Sequence, residues 1–431
     1  MSKIIDIIVK DIRFPTSLDN LGSDSVHVDC DYSAAYVEIF TDDKDLKGIG
    51  LTFTIGKGND LCVACIKHFK PLFLNKNITE IEKNINSLWR SCTNHSQLRW
   101  IGPEKGVIQL SVAALFNGFW DLISKYHRKP LWKYIVDLNT EDLLNKLSFT
   151  YIDDVITKEE AFNIIEGKKN NIQIATQSII KNGFPCYTTA AGWLGYSDEK
   201  MINLTKKYLS EGWTHFKMKV GQDIDRDIHR CKLVREIIGK DNLLMIDANQ
   251  AWSVKESIEN INKLKEFDLY FVEEPTNPDD ILGFKKIKNS VGGVKLATGE
   301  MCQNRIVFKQ FLENKSLDFC QIDSCRLASL NEIIPIMLIA SKLNIPIIAH
   351  AGGVGLCEYV QHLNIINQLI ITNNTTYLSE YAESCSEHLT NPSIIKNGHY
   401  VTPMNSGYSA IIKKDSVKKF QFPNGDYWKG K

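Results

Sequence analysis

Between His215 and Glu380 the chain repeats one pattern of positions, a short apolar run that ends at an ionisable residue. Seven runs follow this pattern, and their ends are separated by 23 to 30 residues. A strand, a crossover helix and two loops occupy about 30 residues, so the pattern predicts a series of βαβ units. The predicted strands lie at 215–220, 243–247, 270–274, 294–300, 319–323, 346–350 and 377–380.

Parallel strands that alternate with helices favour a β/α barrel, in which the C-terminal ends of the strands meet at one mouth. A strand beginning at Cys186, followed by a helix over 197–209, precedes the series as its first unit. A single charge at the end of a strand is most often a solvated loop residue. Seven such charges in phase instead predict one shared active site, built from Lys219, Asp247, Glu273, Glu300, Asp323, His350 and Glu380.

The first third of the chain has a different pattern. Alternating apolar positions predict a strand over 4–14 and an antiparallel hairpin formed by 32–40 and 48–55. The apolar positions then take a helical period over 61–74, 78–89 and 109–126. Strands followed by helices, without alternation between them, predict an α+β module.

The regions on either side of the barrel pattern are less regular. Residues 146–184 are interpreted as the transition into the barrel, with a strand predicted at 149–152 and a helix at 158–165. A strand-like run at 408–412 predicts that the C-terminal tail returns to the N-terminal module. We therefore expect three regions: the α+β module at 1–145, the barrel at 146–390 and the tail at 391–431.

Composition excludes several classes of partner. The 51 basic and 51 acidic residues balance, so no basic surface for nucleic acid is expected. No continuous apolar run reaches the roughly 18 residues of a membrane span, and the N-terminus has no secretory pattern. The eleven cysteines are scattered and therefore indicate reduced thiols of an intracellular protein. We expect it in the cytoplasm, with mitochondria as the alternative.

Three of the strand-end residues are carboxylates on consecutive predicted strands, Asp247, Glu273 and Glu300. Carboxylates that converge repel one another unless a cation lies among them, and the set contains no histidine or cysteine. Ligation by oxygen alone suits Mg²⁺, which keeps positions open for water or substrate oxygens. The sequence therefore predicts a Mg²⁺ site; unrelated exposed acids are the alternative.

Two lysines, Lys217 and Lys219, lie two residues apart on one predicted strand and so point to the same face. Apolar residues occupy the alternate positions, which predicts that the lysines face the barrel interior. A neighbouring positive charge and burial both lower a lysine pKa, and an amine with a lowered pKa can act as a general base near neutral pH. The alternative is a solvent-facing pair on an edge strand.

His350 ends a nearly wholly apolar strand, and Asp323 ends the strand before it. Adjacent strand ends can place a carboxylate against an imidazole nitrogen, which fixes the tautomer and raises the basicity of the ring. A histidine at such a position is otherwise a hydrogen-bonded core residue. The neighbouring aspartate favours an acid–base pair over that alternative.

The order of these motifs resembles the enolase superfamily, in its mandelate racemase subgroup. Longer strings resemble the L-fuconate dehydratases of that subgroup, including their eukaryotic members. The resemblance covers essentially the whole chain and implies a (β/α)₇β TIM-like barrel with an N-terminal α+β capping domain that the C-terminal tail completes. The strings begin at Arg13, Gly22, Asp31, Trp100, Gly192 and His350, for example Trp100-Ile-Gly-Pro-Glu-Lys-Gly and Gly192-Trp-Leu-Gly-Tyr-Ser-Asp-Glu-Lys.

The resemblance also implies an activity, the Mg²⁺-dependent conversion of L-fuconate to 2-dehydro-3-deoxy-L-fuconate. In enolase-superfamily sites a lysine or histidine base works with Mg²⁺ that stabilises an enediolate. By resemblance, Lys219 removes the C2 proton, and His350, with Asp323 as its partner, assists loss of the C3 hydroxyl. Asp247, Glu273 and Glu300 match the Mg²⁺ ligands. The implied substrate contacts are Gly22, Ser23, Asp24, Tyr32, Lys217, Asn249 and Glu380.

Alternatives to this activity stay open. A dehydratase or epimerase for another acid sugar would use the same base and metal, and only product analysis separates the two. A barrel converted to a binding or regulatory protein is a third reading, although the sequence retains every expected ligand and the base. Either enzyme would bind a small-molecule sugar acid as its substrate. No nucleic acid or membrane partner is expected, and the chain could form a homo-oligomer.

Overall fold

A computed structural model describes residues 2–374 and 378–430 of the chain. The N-terminal module contains an antiparallel sheet of three strands in the order β1 (Ile4–Arg13), β2 (Ser33–Thr41) and β3 (Lys47–Thr54). The register pairs Val9 with Val37 and Val37 with Gly50, so β2 is the central strand. The predicted strand and hairpin are confirmed.

Six helices follow in this module. They are α1 (Asn59–Phe69), α2 (Ile78–Lys83), α3 (Ile85–Thr93), α4 (Gly106–Tyr126), α5 (Leu131–Asp137) and α6 (Thr140–Asn145). Two of them, α1 and α4, pack against the sheet. The single helix predicted over 78–89 is in fact two, because Asn84, at φ −108° and ψ 16°, leaves the helical conformation.

The longest helix, α4, is the core of the module. It packs against β3 so closely that a Cβ at Gly50 would collide with the α4 backbone. Its length, and a stretch of 18 residues within it that has a mean hydropathy of 1.4, would suit a membrane span, although no continuous apolar run predicted this. However, 83% of that stretch is buried inside the protein, as expected of a core helix.

Strands and helices then alternate around a second, parallel sheet. Its strands are β4 (Phe184–Thr188), β5 (His215–Lys219), β6 (Leu243–Asp247), β7 (Leu269–Glu273), β8 (Leu296–Thr298), β9 (Phe319–Cys320) and β10 (Ser379–Tyr381). The helices that follow β4 to β9 are α9 (Asp198–Ser210), α10 (Ile224–Ile238), α11 (Val254–Leu264), α12 (Ile281–Ser290), α13 (Arg305–Glu313) and α14 (Leu330–Lys342). A seventh, α15 (Leu356–Ile370), precedes β10.

The sheet closes on itself, because β10 pairs in parallel with β4. The segment 346–350 completes the circle between β9 and β10. Ile348 N donates to Cys320 O at 2.9 Å, and Glu380 N donates to Ala349 O at 3.2 Å. Eight strand segments and seven helices therefore form the expected (β/α)₇β barrel.

The strand predicted at 346–350 is less regular than expected. Its pairing with β9 is an isolated bridge between Ile347 and Cys320. Backbone hydrogen bonds also run from Cys320 N to Pro346 O at 2.9 Å, from Ile348 N to Cys320 O at 2.9 Å and from His350 N to Ile322 O at 3.0 Å. Pro346, which starts the run, has no N–H to donate to a ladder. The last predicted run, 377–380, is confirmed for its described part, while Tyr377 lies outside the described residues.

Two other predicted strands are wrong. Residues 149–152 form a turn in which Ile152 N donates to Phe149 O, and Tyr151 has a φ of +69° that a strand excludes. The run at 408–412 is interrupted in the same way by Ser409, at φ +74°. In the transition region, α7 (Lys158–Lys169) contains the predicted helix, and α8 (Ile172–Asn182) follows it without a clear sequence pattern.

The C-terminal tail contacts the first strand. Its elements are β11 (Ile395–Lys396), β12 (His399–Tyr400) and α16 (Lys414–Phe420). Phe422 N donates to Asp11 O at 2.8 Å, and the indole of Trp428 donates to Arg13 O at 3.1 Å. The return of the tail is therefore seen directly, while the region boundaries at 145 and 390 stay predictions.

A small apolar cluster fills the barrel below its mouth. Met245, Phe271, Ile348 and Leu378 belong to it, and each is at most 2% exposed. Each lies two positions before an ionisable strand-end residue, so strand alternation points both side chains into the barrel. In each pair the apolar side chain fills the barrel interior, and the ionisable side chain lies above it at the barrel mouth.

Candidate active site

The three carboxylates predicted to hold a metal lie together at the barrel mouth. One carboxylate oxygen from each of Asp247, Glu273 and Glu300 lies within 4.8 Å of the other two. Asp247 and Glu273 are the last residues of β6 and β7 and are fully buried, while Glu300 follows β8 and is partly exposed. Gly299 makes the approach of Glu300 possible, because its φ is +148° and a Cβ there would collide with the backbone of the neighbouring strand.

Both lysines of β5 point into the barrel, as predicted. Lys217 Nζ lies 2.8 Å from Glu273 Oε1 and 2.9 Å from Glu380 Oε1, with its side chain fully buried. Lys219 Nζ donates to Asp247 Oδ2 at 2.5 Å. Lys219 therefore lies at the cavity, and Lys217 lies beneath it.

The predicted direction of the lysine pKa is wrong for the arrangement seen here. Burial opposes the charged form of Lys219, and Lys217 adds to that effect, but the carboxylates of Asp247, Glu300 and Asp24 together outweigh both and raise the pKa of Lys219 above its usual value. The pKa of Lys217 is also raised, against its burial, by Glu273 and Glu380. Both amines are therefore ammonium groups while these pairs persist.

His350 and Asp323 form the predicted pair, with His350 Nδ1 2.7 Å from Asp323 Oδ2. The other carboxylate oxygen of Asp323 accepts the backbone N–H groups of Cys325 and Arg326, at 2.6 and 2.7 Å, and is thereby fixed. Nε2 of His350 lies 3.2 Å from Glu300 Oε2. Burial opposes the charged ring, but Glu300 and Asp323 raise the pKa of His350 to about 10.

Glu380 is the junction between the lysine side and the histidine side of the mouth. Its Oε1 accepts the hydroxyl of Thr189 at 2.5 Å and lies beside Lys217, and its Oε2 accepts the backbone N–H of Ala351 at 2.9 Å. Burial opposes ionisation, but Lys217 and His350 lower the pKa of Glu380 below its usual range. The carboxylate is thus held in place from both sides.

A cavity of about 360 Å³ lies over these groups, between the barrel mouth and the N-terminal module. The barrel contributes Lys219, Asn249, Glu300, Asp323, His350 and Glu380 to its lining. The module contributes Gly22, Asp24 and Tyr32 from the predicted contacts. Gly22, at φ +79°, packs against the ring of Tyr32 so closely that any Cβ would overlap it.

Most of the predicted site residues therefore meet at one cavity, and four lie behind it. Three of the four are Asp247, Glu273 and Lys217. They are at most 1% exposed and lie directly beneath the residues that line the cavity. Ser23 also does not line the cavity. Its hydroxyl accepts the backbone N–H of Gly195 at 3.1 Å, which ties the module to a barrel loop.

Comparison with known proteins agrees with this geometry. A family model described as Enolase C-terminal domain-like matches residues 200–416, which is half of the chain. The Mitochondrial enolase superfamily member 1 of Xenopus laevis is 46% identical over 99% of this chain and 97% of its own length. The chain belongs to the enolase superfamily.

Two further relatives align with nearly the whole length of this chain, beyond the residues that the family model matches. The L-galactonate dehydratase of Hypocrea jecorina is 44% identical and aligns with 96% of this chain and 93% of its own. The crystal structure of human Mitochondrial enolase superfamily member 1 superposes with a TM-score of 0.98 at 44% identity, covering 99% of this chain and 98% of the human one. The capping domain and the barrel are therefore both shared with relatives.

Besides Thr189, sequence reasoning missed four residues that contact this enolase-superfamily site. Gln321 donates to Glu273 Oε2 at 2.7 Å, and strand alternation with Asp323 could have found it. The other three are Trp193, Arg326 and His27. The ring centroid of Trp193 lies 5.5 Å from Lys219 Nζ, and the guanidinium of Arg326 donates to Glu300 O at 3.2 Å. His27 lines the cavity.

The acidic residues of the mouth fit a divalent cation. Burial and the carboxylate of Asp247 hold the pKa of Glu273 well above its usual range, so the cluster is short of positive charge. One buried oxygen in the same cavity, Asn249 Oδ1, makes no hydrogen bond within the described part of the chain, and Glu300 Oε2 lies 3.2 Å from His350 Nε2. Oxygen donors beside crowded carboxylates are the surroundings that Mg²⁺ prefers.

Proposed function

We propose that this chain is a Mg²⁺-dependent dehydratase of a sugar acid, with L-fuconate as substrate and 2-dehydro-3-deoxy-L-fuconate as product. The observation that carries the proposal is the meeting of Lys219, the His350–Asp323 pair and the oxygen-only triad at one cavity. The L-galactonate dehydratase named above supports dehydration of an acid sugar as the reaction class. The cytoplasmic location stays a prediction, because the vertebrate relatives are named as mitochondrial.

Asp247, Glu273 and Glu300 would hold the Mg²⁺ ion. Bound there, Mg²⁺ supplies positive charge for the carboxylate oxygens of the substrate as C2 loses its proton. Lys217 adds a buried positive charge below the same region, held by Glu273 and Glu380. Asn249 lines the cavity, and its side-chain amide N–H group would donate to the substrate carboxylate.

Lys219 is the proposed base. Its Nζ reaches the cavity from below and accepts the C2 proton, with the C–H electrons remaining on the substrate. The present pair with Asp247 at 2.5 Å holds this amine in its charged form. Base function therefore requires that Asp247 be engaged elsewhere, as it would be as a metal ligand.

His350 is the proposed acid. Its Nδ1 is fixed by Asp323 at 2.7 Å, which leaves Nε2 directed toward the cavity. Nε2 donates its proton to the C3 hydroxyl as the C3–O bond breaks, and water leaves. The electrons from the C2–H bond form the C2=C3 bond, and the resulting enol tautomerises to the 2-keto product.

The choice of L-fuconate over L-galactonate rests on the wall that the N-terminal module contributes to the cavity. These acids differ only at C6, which is a methyl group in the first and a hydroxymethyl group in the second. Part of the wall is apolar, formed by Phe53, Ile55, Leu61, Val107 and Leu110. A methyl group gains from burial there, whereas a hydroxyl would lose hydrogen bonds to water. L-galactonate is the second candidate.

The test is a panel of acid sugars incubated with purified protein and Mg²⁺, with 2-keto-3-deoxy products measured. We expect L-fuconate to give the highest kcat/KM, L-galactonate to follow, and an excess of EDTA to abolish turnover. Lys219→Ala is the matched inactive control. An epimerised acid in place of a keto product would replace the dehydratase proposal, and full turnover after dialysis against EDTA would remove the metal from it.

A further inference from the structure

The loop at residues 20–31 covers the cavity and is anchored to the barrel. Ser23 accepts a hydrogen bond from the loop after β4 at 3.1 Å, and Ser25 Oγ donates to the carbonyl that follows β6 at 2.9 Å. The two anchors hold the loop directly above the strand ends. His27 lies just beyond them and lines the cavity.

The carboxylate of Asp24 is used within this loop. Its Oδ1 accepts the backbone N–H groups of Val26 and His27, at 2.7 and 2.6 Å. Its Oδ2 lies 3.0 Å from Nδ1 of the His27 ring. Asp24 is 7% exposed, and both of its carboxylate oxygens are engaged within the loop, where they fix the position of His27.

The ring of His27 is held by one nitrogen and leaves the other free. With Nδ1 bound to Asp24, Nε2 lies on the far side of the imidazole, and no other described residue hydrogen-bonds to it. The side chain keeps 32% of its surface exposed, in a cavity that Lys219 and Glu300 line from the opposite side. The cavity therefore has a second histidine–aspartate pair, which the covering loop contributes, whereas the barrel contributes the His350–Asp323 pair.

We propose that His27 is a substrate-binding residue, whose Nε2 hydrogen-bonds a hydroxyl beyond C3 of the sugar acid, and that Asp24 is its positioning residue. This inference rests on the proposed function, which places a polyhydroxy acid in the cavity. C1 to C3 belong to the barrel side, where the acid–base groups lie. The hydroxyls beyond C3 extend toward the covering loop, where His27 offers a polar atom that is fixed in direction.

A fixed polar atom selects substrates strongly, because a substrate without the matching hydroxyl leaves that atom unpaired. A residue that only held the loop would affect all substrates equally. The two roles therefore differ in a measurable way. The substrate series must compare an acid that carries the hydroxyls beyond C3 with one that lacks them.

The experiment measures kcat/KM for L-fuconate and the inhibition constant of a four-carbon acid with the same configuration at C2 and C3, used as a competitor. The variants are His27→Ala, His27→Gln, Asp24→Ala and the double variant. We expect His27→Ala to lower kcat/KM for L-fuconate about 10- to 100-fold, the loss typical of one hydrogen bond to substrate. The inhibition constant of the short acid should change less than about twofold, which also shows that the variant is folded.

The remaining variants separate binding from positioning. His27→Gln, whose amide reaches about as far as Nε2, should recover part of the loss. Asp24→Ala should show the same selective loss, and the double variant should be no worse than His27→Ala, since both act through one contact. The control is His229→Gln, which alters an exposed histidine that pairs with Asp198 at the same 3.0 Å but lies outside the site.

Three results would overturn the inference: unchanged L-fuconate kinetics in His27→Ala, an equal loss for the long and the short acid, or additive losses in the double variant. If the parent protein turns over another acid of the panel and not L-fuconate, that acid replaces L-fuconate in the assay. If the parent turns over none, the proposed function has failed, which is distinct from a failure of the His27 assignment.

Discussion

Acidification should weaken the contact between the barrel and the N-terminal module through His362. This residue lies on α15, is fully buried, and accepts the backbone N–H of Trp132 at its Nδ1, 3.3 Å away. Because Nδ1 accepts, the ring proton is on Nε2, which lies 2.8 Å from Ser409 Oγ. A second ring proton would face the N–H of Trp132, so the folded protein requires the neutral ring.

The magnitude follows from the pKa of this ring. Burial lowers the pKa of His362 to about 3, from an ordinary value of 6.5. As pH falls from 7 to 5, the unfolded chain therefore binds a proton that the folded chain does not, and the stabilisation is lost progressively between pH 6.5 and 3. One pKa unit is worth about 1.4 kcal/mol, so the free energy of unfolding should fall by about 2 kcal/mol from this residue between pH 7 and 5.

The assay is urea unfolding at pH 7 and pH 5 for the parent, His362→Gln and His229→Gln. Glutamine can accept and donate like the neutral ring but does not titrate, so it removes the pH effect. We expect the parent and His229→Gln to lose about 2 kcal/mol more than His362→Gln over this interval. The same loss in all three proteins would refute the reasoning, because other groups would then carry the whole pH dependence.

Two further predictions concern the active site. Glu273→Gln removes one charge from the triad, so titration calorimetry with Mg²⁺ should show affinity lowered at least tenfold in a folded protein; affinity equal to that of the parent would exclude Glu273 as a ligand. Dehydration and exchange of the C2 proton can both be followed by NMR of L-fuconate in D₂O. Lys219→Ala should slow both reactions by about 10²–10⁴-fold. His350→Asn should lose dehydration but keep exchange of the C2 proton. Exchange retained in Lys219→Ala would contradict its role as base.

The barrel could be predicted from the sequence because its constraints are periodic. Side chains alternate along a strand, so residues two positions apart point to the same side. Spacing alone therefore places Met245 below Asp247 and Phe271 below Glu273, with the apolar residue inside the barrel and the acidic residue at its mouth. The covering loop has no period. That Asp24 turns back to hold His27 depends on local hydrogen bonds of residues 24–27, which a pattern of apolar and polar positions does not contain.

The charge state of the lysines shows a different limit of sequence reasoning. Along the chain, the nearest ionisable neighbour of Lys219 is Lys217, and two lysines predict a lowered pKa. Across the sheet, the register of β5 and β6 pairs Lys219 directly with Asp247, and the pair closes to 2.5 Å. The carboxylate affects the pKa of Lys219 more strongly than the second ammonium group does, and Coulomb energy rises as the distance falls. The register between strands, which the sequence of one strand cannot give, therefore reverses the sign of the shift.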